Sequence, residues 1–302
     1  DSLTPSLLWK IGCPNNLPYI NASGTALPTN SSGAAVTTLA QADTGCPATW
    51  TSMGQTWSAP VPVLAGGFSS GTAPLVVMGG GYDTCEDADP NTCSTASLKG
   101  NHIFVLNPGN GGALLRDLPT DRPVAGDVFP VLDSNGMVSW IYATDLGGNV
   151  YRISGATANA AIGNTPPENW TITRIASLGC SSPSTCTVNR KFFFGPDIVQ
   201  NSDGSYSLMI GSGDREKPVN SYTSAYNASD YFFVIKDKPT TATWLASESA
   251  RCGGNSVICL ASLGQLTSTD QGVTGAPTDK GWYLGLVAHE SVVTSALTIY
   301  GT

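Results

Sequence analysis

Short runs of β-branched and aromatic residues, each stopped by glycine, asparagine or proline, set the character of this chain from residue 58 onward. "APVPVLAGG" (59–67) and "APLVVMGGG" (73–81) are strand-like runs that end in glycine. "NHIFVLNPGNGGALL" (101–115) is a strand, a turn through 108–112 and a returning strand, and 127–153 holds three strand runs. The stretches 197–214, 230–238, 280–286 and 292–301 add further strands, the last closing the chain. Turn signals at roughly 8–12-residue intervals leave no room for long helices and point to a sandwich, a barrel or a propeller. Recurrence chooses among them. A strand, an Asp/Asn–Gly turn, a second strand ("YATD" or "MIGSGD") and a glycine loop occur at 127–153 and again at 197–214. Small antiparallel sheets repeated about an axis give this imperfect self-similarity, so the expected fold is all-β, a β-propeller. Residues 1–57 lack such periodicity, with one short helix expected near 34–42. They are expected to form a loop-rich N-terminal segment packing on a single propeller unit, residues 58–302.

Composition narrows the setting. Of 302 residues, 41% are hydrophobic, enough for a sizeable core, and 12% are charged, below the roughly 25% usual for soluble domains. The net charge of −8, from 22 acids against 14 bases, argues against nucleic acid and anionic membrane surfaces, which attract lysine and arginine. No apolar run approaches the roughly 20 residues of a membrane span. No secretory apolar region opens the sequence, so the numbering is expected to begin inside a processed or recombinant chain. Eight cysteines fall into local couples: Cys13–Cys46, Cys85–Cys93, Cys180–Cys186 and Cys252–Cys259. Their even count, with no C-x-x-C spacing and two histidines, favours disulfides over zinc and therefore an oxidising compartment.

The fragments "GGGYDT" (79–84), "GNHIFVLNPGNGGALL" (100–115), "YATDLGGNVYRI" (142–153), "GSGDREKP" (211–218) and "KGWYLGL…ESVVTSALTIYG" (280–301) form an ordered set. In that order they resemble the C-terminal domain of PilY1/PilC-type proteins, the type IV pilus tip-associated adhesins, over roughly residues 50–302. The resemblance implies a modified β-propeller with quinoprotein-like blades. This chain is expected to be a fragment or short variant with four or five blades' worth of sheet, leaving open whether the ring closes. It further implies a factor supporting pilus assembly, surface attachment and twitching motility, located outside the cell or at the pilus tip. The implied partners are minor pilins of the tip complex and a host or abiotic surface.

The family's calcium loop, D-x-[DN]-x-D-x-x-x-D, corresponds here to "LDSNGMVSWIYATD", where Asp133 and Asn135 offer the first two ligands. Met137 stands where a carboxylate is needed, and calcium wants six to eight oxygens, so this stretch reads as an ordinary hairpin turn. The other acidic stretch is "GGGYDTCEDADPNTC" (79–93), in which Asp87, Asp89 and Asn91 alternate beside Asp83 and Glu86. Thr92 and Leu98 occupy the places where an EF-type loop needs glycine and a bidentate acid. The stretch therefore reads as a solvated acidic loop tied by Cys85–Cys93, with a shallow calcium site as the alternative.

Catalytic signatures are absent from the sequence. His102 and His289 are isolated, there is no G-x-S-x-G elbow, and no adjacent cysteine pair of the kind quinone-dependent dehydrogenases use occurs. Asp127, Asp145, Asp197 and Asp214 recur at strand ends, where an acid serves each blade as a fold device. The binding candidates are the three tightly stapled loops and "NSYTSAYNASDY" (220–231), whose Tyr222, Tyr226, Asn227 and Tyr231 offer amphipathic contact area. The expected role is non-enzymatic. The alternatives are an extracellular propeller enzyme, either a quinone-dependent dehydrogenase or a glycoside hydrolase, and a lectin-like binding module.

Overall fold

In the computed structural model the described residues are 9, 11–12, 19–20, 26–27, 48–94, 96–180, 189–269 and 272–298. β1 (Tyr19–Ile20) and β2 (Ala26–Leu27) form a small antiparallel pair. β3 (Val61–Val63), β4 (Leu75–Gly79), β5 (His102–Asn107) and β6 (Ala113–Pro119) follow as an antiparallel meander. β7 (Phe129–Leu132), β8 (Val138–Thr144), β9 (Asn149–Ser154) and β10 (Thr171–Ser177) repeat it. A third meander begins with β11 (Asp197–Gln200), β12 (Tyr206–Gly211) and β13 (Tyr231–Asp237). The chain then forms β14 (Gly264–Thr269) and β15 (Gly272–Gly275), and β16 (Gly281–Gly285) returns to the fourth place, antiparallel to β13. β14 lies parallel to β16 on its outer side.

Four-stranded antiparallel meanders in series are propeller blades. Among the described residues there are three, fewer than the four or five expected, and they do not close a ring. The self-similar stretches 127–153 and 197–214 coincide with the opening strands of the second and third blades.

Side-chain alternation explains the stacking. Along β8, Ile141 and Ala143 enter a core shared with the first blade, where Ile103, Val105 and Leu118 meet them, and Val138 joins them because the register shift at Val131/Leu132 interrupts the alternation. Trp140 and Tyr142 enter a second core with Leu208, Ile210 and Phe233 of the third blade. Successive strand residues point to opposite faces, so a strand with two buried faces reads as a continuous apolar run. "WIYA" is such a run. Each fully buried aliphatic side chain there is worth roughly 1.5–3 kcal/mol. On the outer side of the first blade, Phe104 and Leu106 pack against Trp50 and Met53, and Gln55 bridges to Tyr82. A buried pair, Arg152 of β9 and Asp237 of β13, ties the second blade to the third, and the Tyr142 hydroxyl donates to Asp237 at 2.9 Å.

Two corrections concern strands. Residues 292–298 run alongside the third blade without forming the expected strand: the Val292 amide donates to the Ser212 carbonyl at 2.9 Å, and the Thr298 amide to Asp197 at 2.6 Å. β10, β14 and β15 were not anticipated. Cys85–Cys93 and Cys252–Cys259 are formed as expected. Cys13–Cys46, Cys186 and the helix near 34–42 lie outside the described residues.

Candidate functional site

The triple glycine that ends β4 lets three backbone segments converge. A Cβ on Gly80 would lie 2.7 Å from the Gly100 carbonyl oxygen, and one on Gly81 (φ 106°) would lie 2.3 Å from that of Gln55. Only glycine fits that approach. In the space so gained, Tyr82 exchanges backbone hydrogen bonds with Gln55, and the Gly81 amide donates to the Val124 carbonyl at 3.0 Å. Tyr82 is thereby fixed at one end of the blade stack.

The loop beyond it is tied by Cys85–Cys93 and exposed at Asp87, Pro90 and Thr92, but Glu86 is buried and each of its acids has a partner. Asp83 caps the short turn Thr84–Asp87, accepting from the Cys85 amide at 2.9 Å and from the Lys99 amide at 2.6 Å. Asp87 accepts from the Tyr82 hydroxyl at 2.7 Å. Asp89 accepts from the amides of Ser224 and Ala225 at 2.8 and 3.0 Å, reaching the helical turn Thr223–Tyr226 of the third blade. Asn91 donates to the Asn189 side chain at 3.2 Å. Asp87, Asp89 and Asn91 thus engage three different partners and do not converge on a common point. The sulfurs of Cys85 and Cys93 and the Glu86 carboxylate lie within 4.8 Å of one another. The sulfurs are bonded to each other and Glu86 is taken by cations, so the trio is no metal cage.

Glu86 anchors a buried ion cluster. It is wholly buried and pairs with Arg122 and with Lys191, whose Nζ is 3.1 Å away. Lys191, itself 4% exposed, also reaches Asp214 at 3.1 Å and Glu216 at 2.9 Å. Lys217 adds a contact to Glu216 at 2.9 Å and donates to the Glu86 carbonyl. Burial alone would lower the Lys191 pKa, but the carboxylates of Glu86 and Asp214 hold it above the ordinary lysine value. Burial pushes Tyr82 far up, helped by Glu216 and Asp87 beside it, so its hydroxyl stays a donor.

In front of this cluster opens a cleft of about 840 Å³, built from the segments that lead into the first strands of successive blades. Trp57, Phe129 and the pair Phe193–Phe194 give it aromatic surface, and Trp57 is 73% exposed. Asp87, Asp127, Asp197, Arg215 and Glu216 supply its charge. Asp127 accepts from the Ala59 amide at 2.6 Å, linking the lead-ins of the first two blades. Asp197 accepts from the amides of Ile198 at 3.0 Å and Thr298 at 2.6 Å. Glu216 is desolvated, which would raise its pKa, yet Tyr82, Lys191 and Lys217 together hold it below the ordinary glutamate value.

The remaining candidates are scattered. Asp133 Oδ1 accepts from the amides of Asn135 and Met137 at 2.8 and 2.9 Å in the exposed β7–β8 hairpin. A hairpin offering one carboxylate, already committed to its own turn, does not fit a calcium cage. Tyr222, Tyr226 and Asn227 are exposed, and Tyr226 stacks on His289 with ring centroids 3.7 Å apart. Tyr231 is a blade residue, not a loop one: it opens β13, packs edge-on to Phe233 and lies beneath the Arg190 guanidinium at 4.3 Å. His102 pairs with Asp117 across β5 and β6. Asp145, fully buried, accepts from the amides of Gly147, Asn149 and Arg122 and from the Tyr151 hydroxyl, closing the β8–β9 turn. The recurrent acids are therefore fold devices, and two of them, Asp127 and Asp197, also face the cleft.

Sequence reading missed Trp57, Phe193–Phe194, Lys191, Arg215 and Glu216. A signal existed in "RKFFFG" (190–195), a basic and aromatic run outside any strand. Another lay in the even spacing of Trp57, Asp127 and Asp197, seventy residues apart in turn at the mouths of successive blades.

No family model matches the sequence, and no curated protein matches it. Among solved structures, the chain is similar to the crystal structure of the Pseudomonas aeruginosa PilY1 C-terminal domain, with a TM-score of 0.50 and 15% identity. The match covers 80% of this chain and 52% of that one, so the chain spans about half the length of the solved domain. At that identity the likeness speaks for the fold, and the fold is the one its ordered motifs resemble: the propeller-like architecture of a PilY1 C-terminal domain.

Proposed function

We propose that the chain is a non-enzymatic domain of the type IV pilus machinery, supporting pilus assembly, surface attachment and twitching motility. The observation that carries this reading is the likeness of its fold to the PilY1 C-terminal domain over 80% of its length. The domain acts as a rigid platform outside the cell or at the pilus tip, in keeping with its disulfides. Its lead-in segments and stapled loops meet minor pilins or a host or abiotic surface. The engagement of Asp127, Asp145 and Asp197 by backbone amides, and of Asp214 by Lys191 and Lys217, supports a non-enzymatic role. Deleting the gene and counting surface pili and twitching zones tests the proposal. Loss of both, restored by the intact gene, is expected, and unchanged piliation and motility would sink it. Calcium titration with and without Asp87→Ala tests the metal alternative, since heat abolished by that change would establish a site in the acidic loop.

One observation favours a second reading, a carbohydrate-directed module or hydrolase: the cleft joins aromatic surface to several carboxylates. A hydrolase needs one of its two acids protonated near neutral pH. Glu216 is shifted the opposite way. Turnover of a glycan or an alcohol by the purified protein would favour the enzyme.

A further inference from the structure

We infer that the cleft docks a polypeptide segment carrying lysine or arginine side chains among apolar ones. The inference rests on the cleft alone and stands or falls separately from the pilus reading.

Charge is the first argument. Asp87, Asp127 and Asp197 face the cleft, and none of them makes an ion pair among the described residues. In the buried ion cluster, by contrast, Glu86 and Asp214 meet cations, and Glu216 at the cleft's edge is already paired with Lys191 and Lys217. The one cation lining the cleft is the exposed Arg215, and the whole chain carries −8. An anionic ligand would be repelled, and a neutral one would leave the carboxylates uncompensated.

The aromatic walls add the second argument. The Arg215 guanidinium sits over the Phe194 ring at 5.8 Å, and the Lys191 ammonium lies 5.8 Å from the centroid of Phe193. These rings already receive cations from their own chain, and Trp57, the strongest cation–π acceptor type, stands largely uncovered at the rim. A lysine or arginine also brings an aliphatic stem that lies along apolar surface while its head meets the acids.

Size and rigidity favour a peptide over a lone amine. About 840 Å³ accommodates several side chains, and Asp127 and Asp197 belong to different blades, so the negative charge is spread along the cleft. Both carboxylates are held by backbone amides before any ligand arrives, which reduces the ordering cost of binding.

The test is fluorescence anisotropy with a labelled peptide alternating lysine and leucine, alongside its glutamate–leucine and serine–leucine counterparts. The lysine peptide is expected to bind, with the glutamate peptide weaker by about tenfold or more. Asp127→Asn/Asp197→Asn keeps one oxygen at each position, enough for the Ala59 amide and for one of the Ile198 and Thr298 amides, and is expected to weaken binding by about tenfold with a melting curve that stays cooperative and shifts little. Trp57→Ala, at a site too exposed to threaten folding, is expected to weaken it similarly. The control pair Glu168→Gln/Asp279→Asn removes the same net charge away from the cleft and should leave affinity unchanged. Equal binding of the glutamate peptide, an equal loss in the control pair, or no binding of the lysine peptide would each overturn the inference. So would a neutral oligosaccharide that binds, is lost in Trp57→Ala, and has no competitor in the lysine peptide.

Discussion

Tyr82, Asp87 and Glu216 form a wall with two unlike sides. Behind it, Glu86, Lys191, Lys217 and Asp214 are packed away from water, and each finds opposite charge within about the length of a hydrogen bond. In front, Asp127 and Asp197 touch solvent, take hydrogen bonds only from backbone amides, and have no cation opposite them among the described residues. A buried charge must be matched within the fold because desolvation is costly, whereas an exposed one can be left for something outside it. Burial and pairing, more than the number of acids, therefore separate the structural half of this region from the half available for recognition.

The contrast can be broken most severely from behind. Lys191→Met would leave Glu86 and Asp214 without their shared cation, and a loss of about 3–5 kcal/mol is expected in urea denaturation. The double change Lys191→Met/Glu86→Gln should recover part of that loss, as coupled partners do. Asp145 sharpens the comparison as a buried carboxylate met by hydrogen-bond donors and no cation. Burial pushes its pKa up to about 6, against the pull of Asn149 and Tyr151. A folded-state value above the ordinary one means stability that is present below about pH 4 and lost as pH rises through about 6. Denaturation across that window should show a slope worth about 3 kcal/mol, flattened in Asp145→Asn. Cys85→Ser/Cys93→Ser should cost about 2 kcal/mol, since the bridge closes a short loop. Hydrogen exchange should rise at residues 83–94 and at the amides of Ser224 and Ala225 that Asp89 caps. On the open side, Trp57→Ala and Asp127→Asn should each change stability by less than about 0.5 kcal/mol, and a larger loss would mean the cleft is structural.

Much of the fold was legible because glycine and asparagine mark chain reversals by local rules. Gly136 and Gly148, both with positive φ, sit in the β7–β8 and β8–β9 turns that the sequence pattern placed. β10 escaped notice because "TITRIAS" does not alternate: Ile172 and Ile175 stand three apart, and a register shift between Arg174 and Ala176 breaks its period. The run 292–298 meets the third blade through isolated contacts at Ser212 and Asp197, with Val293 and Leu297 turned to solvent, and forms no ladder. The cleft was hidden for a different reason. Its residues come from lead-in segments far apart in the chain, and a local pattern cannot say that Trp57, Asp127 and Phe194 face one space. The burial of Glu86 was hidden for the same cause. The cations that neutralise Glu86 are Arg122 and Lys191, the latter more than a hundred residues away.

The two-sided strands of the middle blade also bear on how the chain is made. The face of the first blade built on Ile103 and Val105 is complete once residue 119 has been synthesised, but it is covered only when β8 and β9 arrive and β10 ends at residue 177. At roughly 5–20 residues per second that apolar face waits several seconds in contact with water. Any nascent chain of this design needs either export before folding or a companion that shields the unfinished edge. Its disulfides accord with the first, since such bridges form and persist in oxidising surroundings.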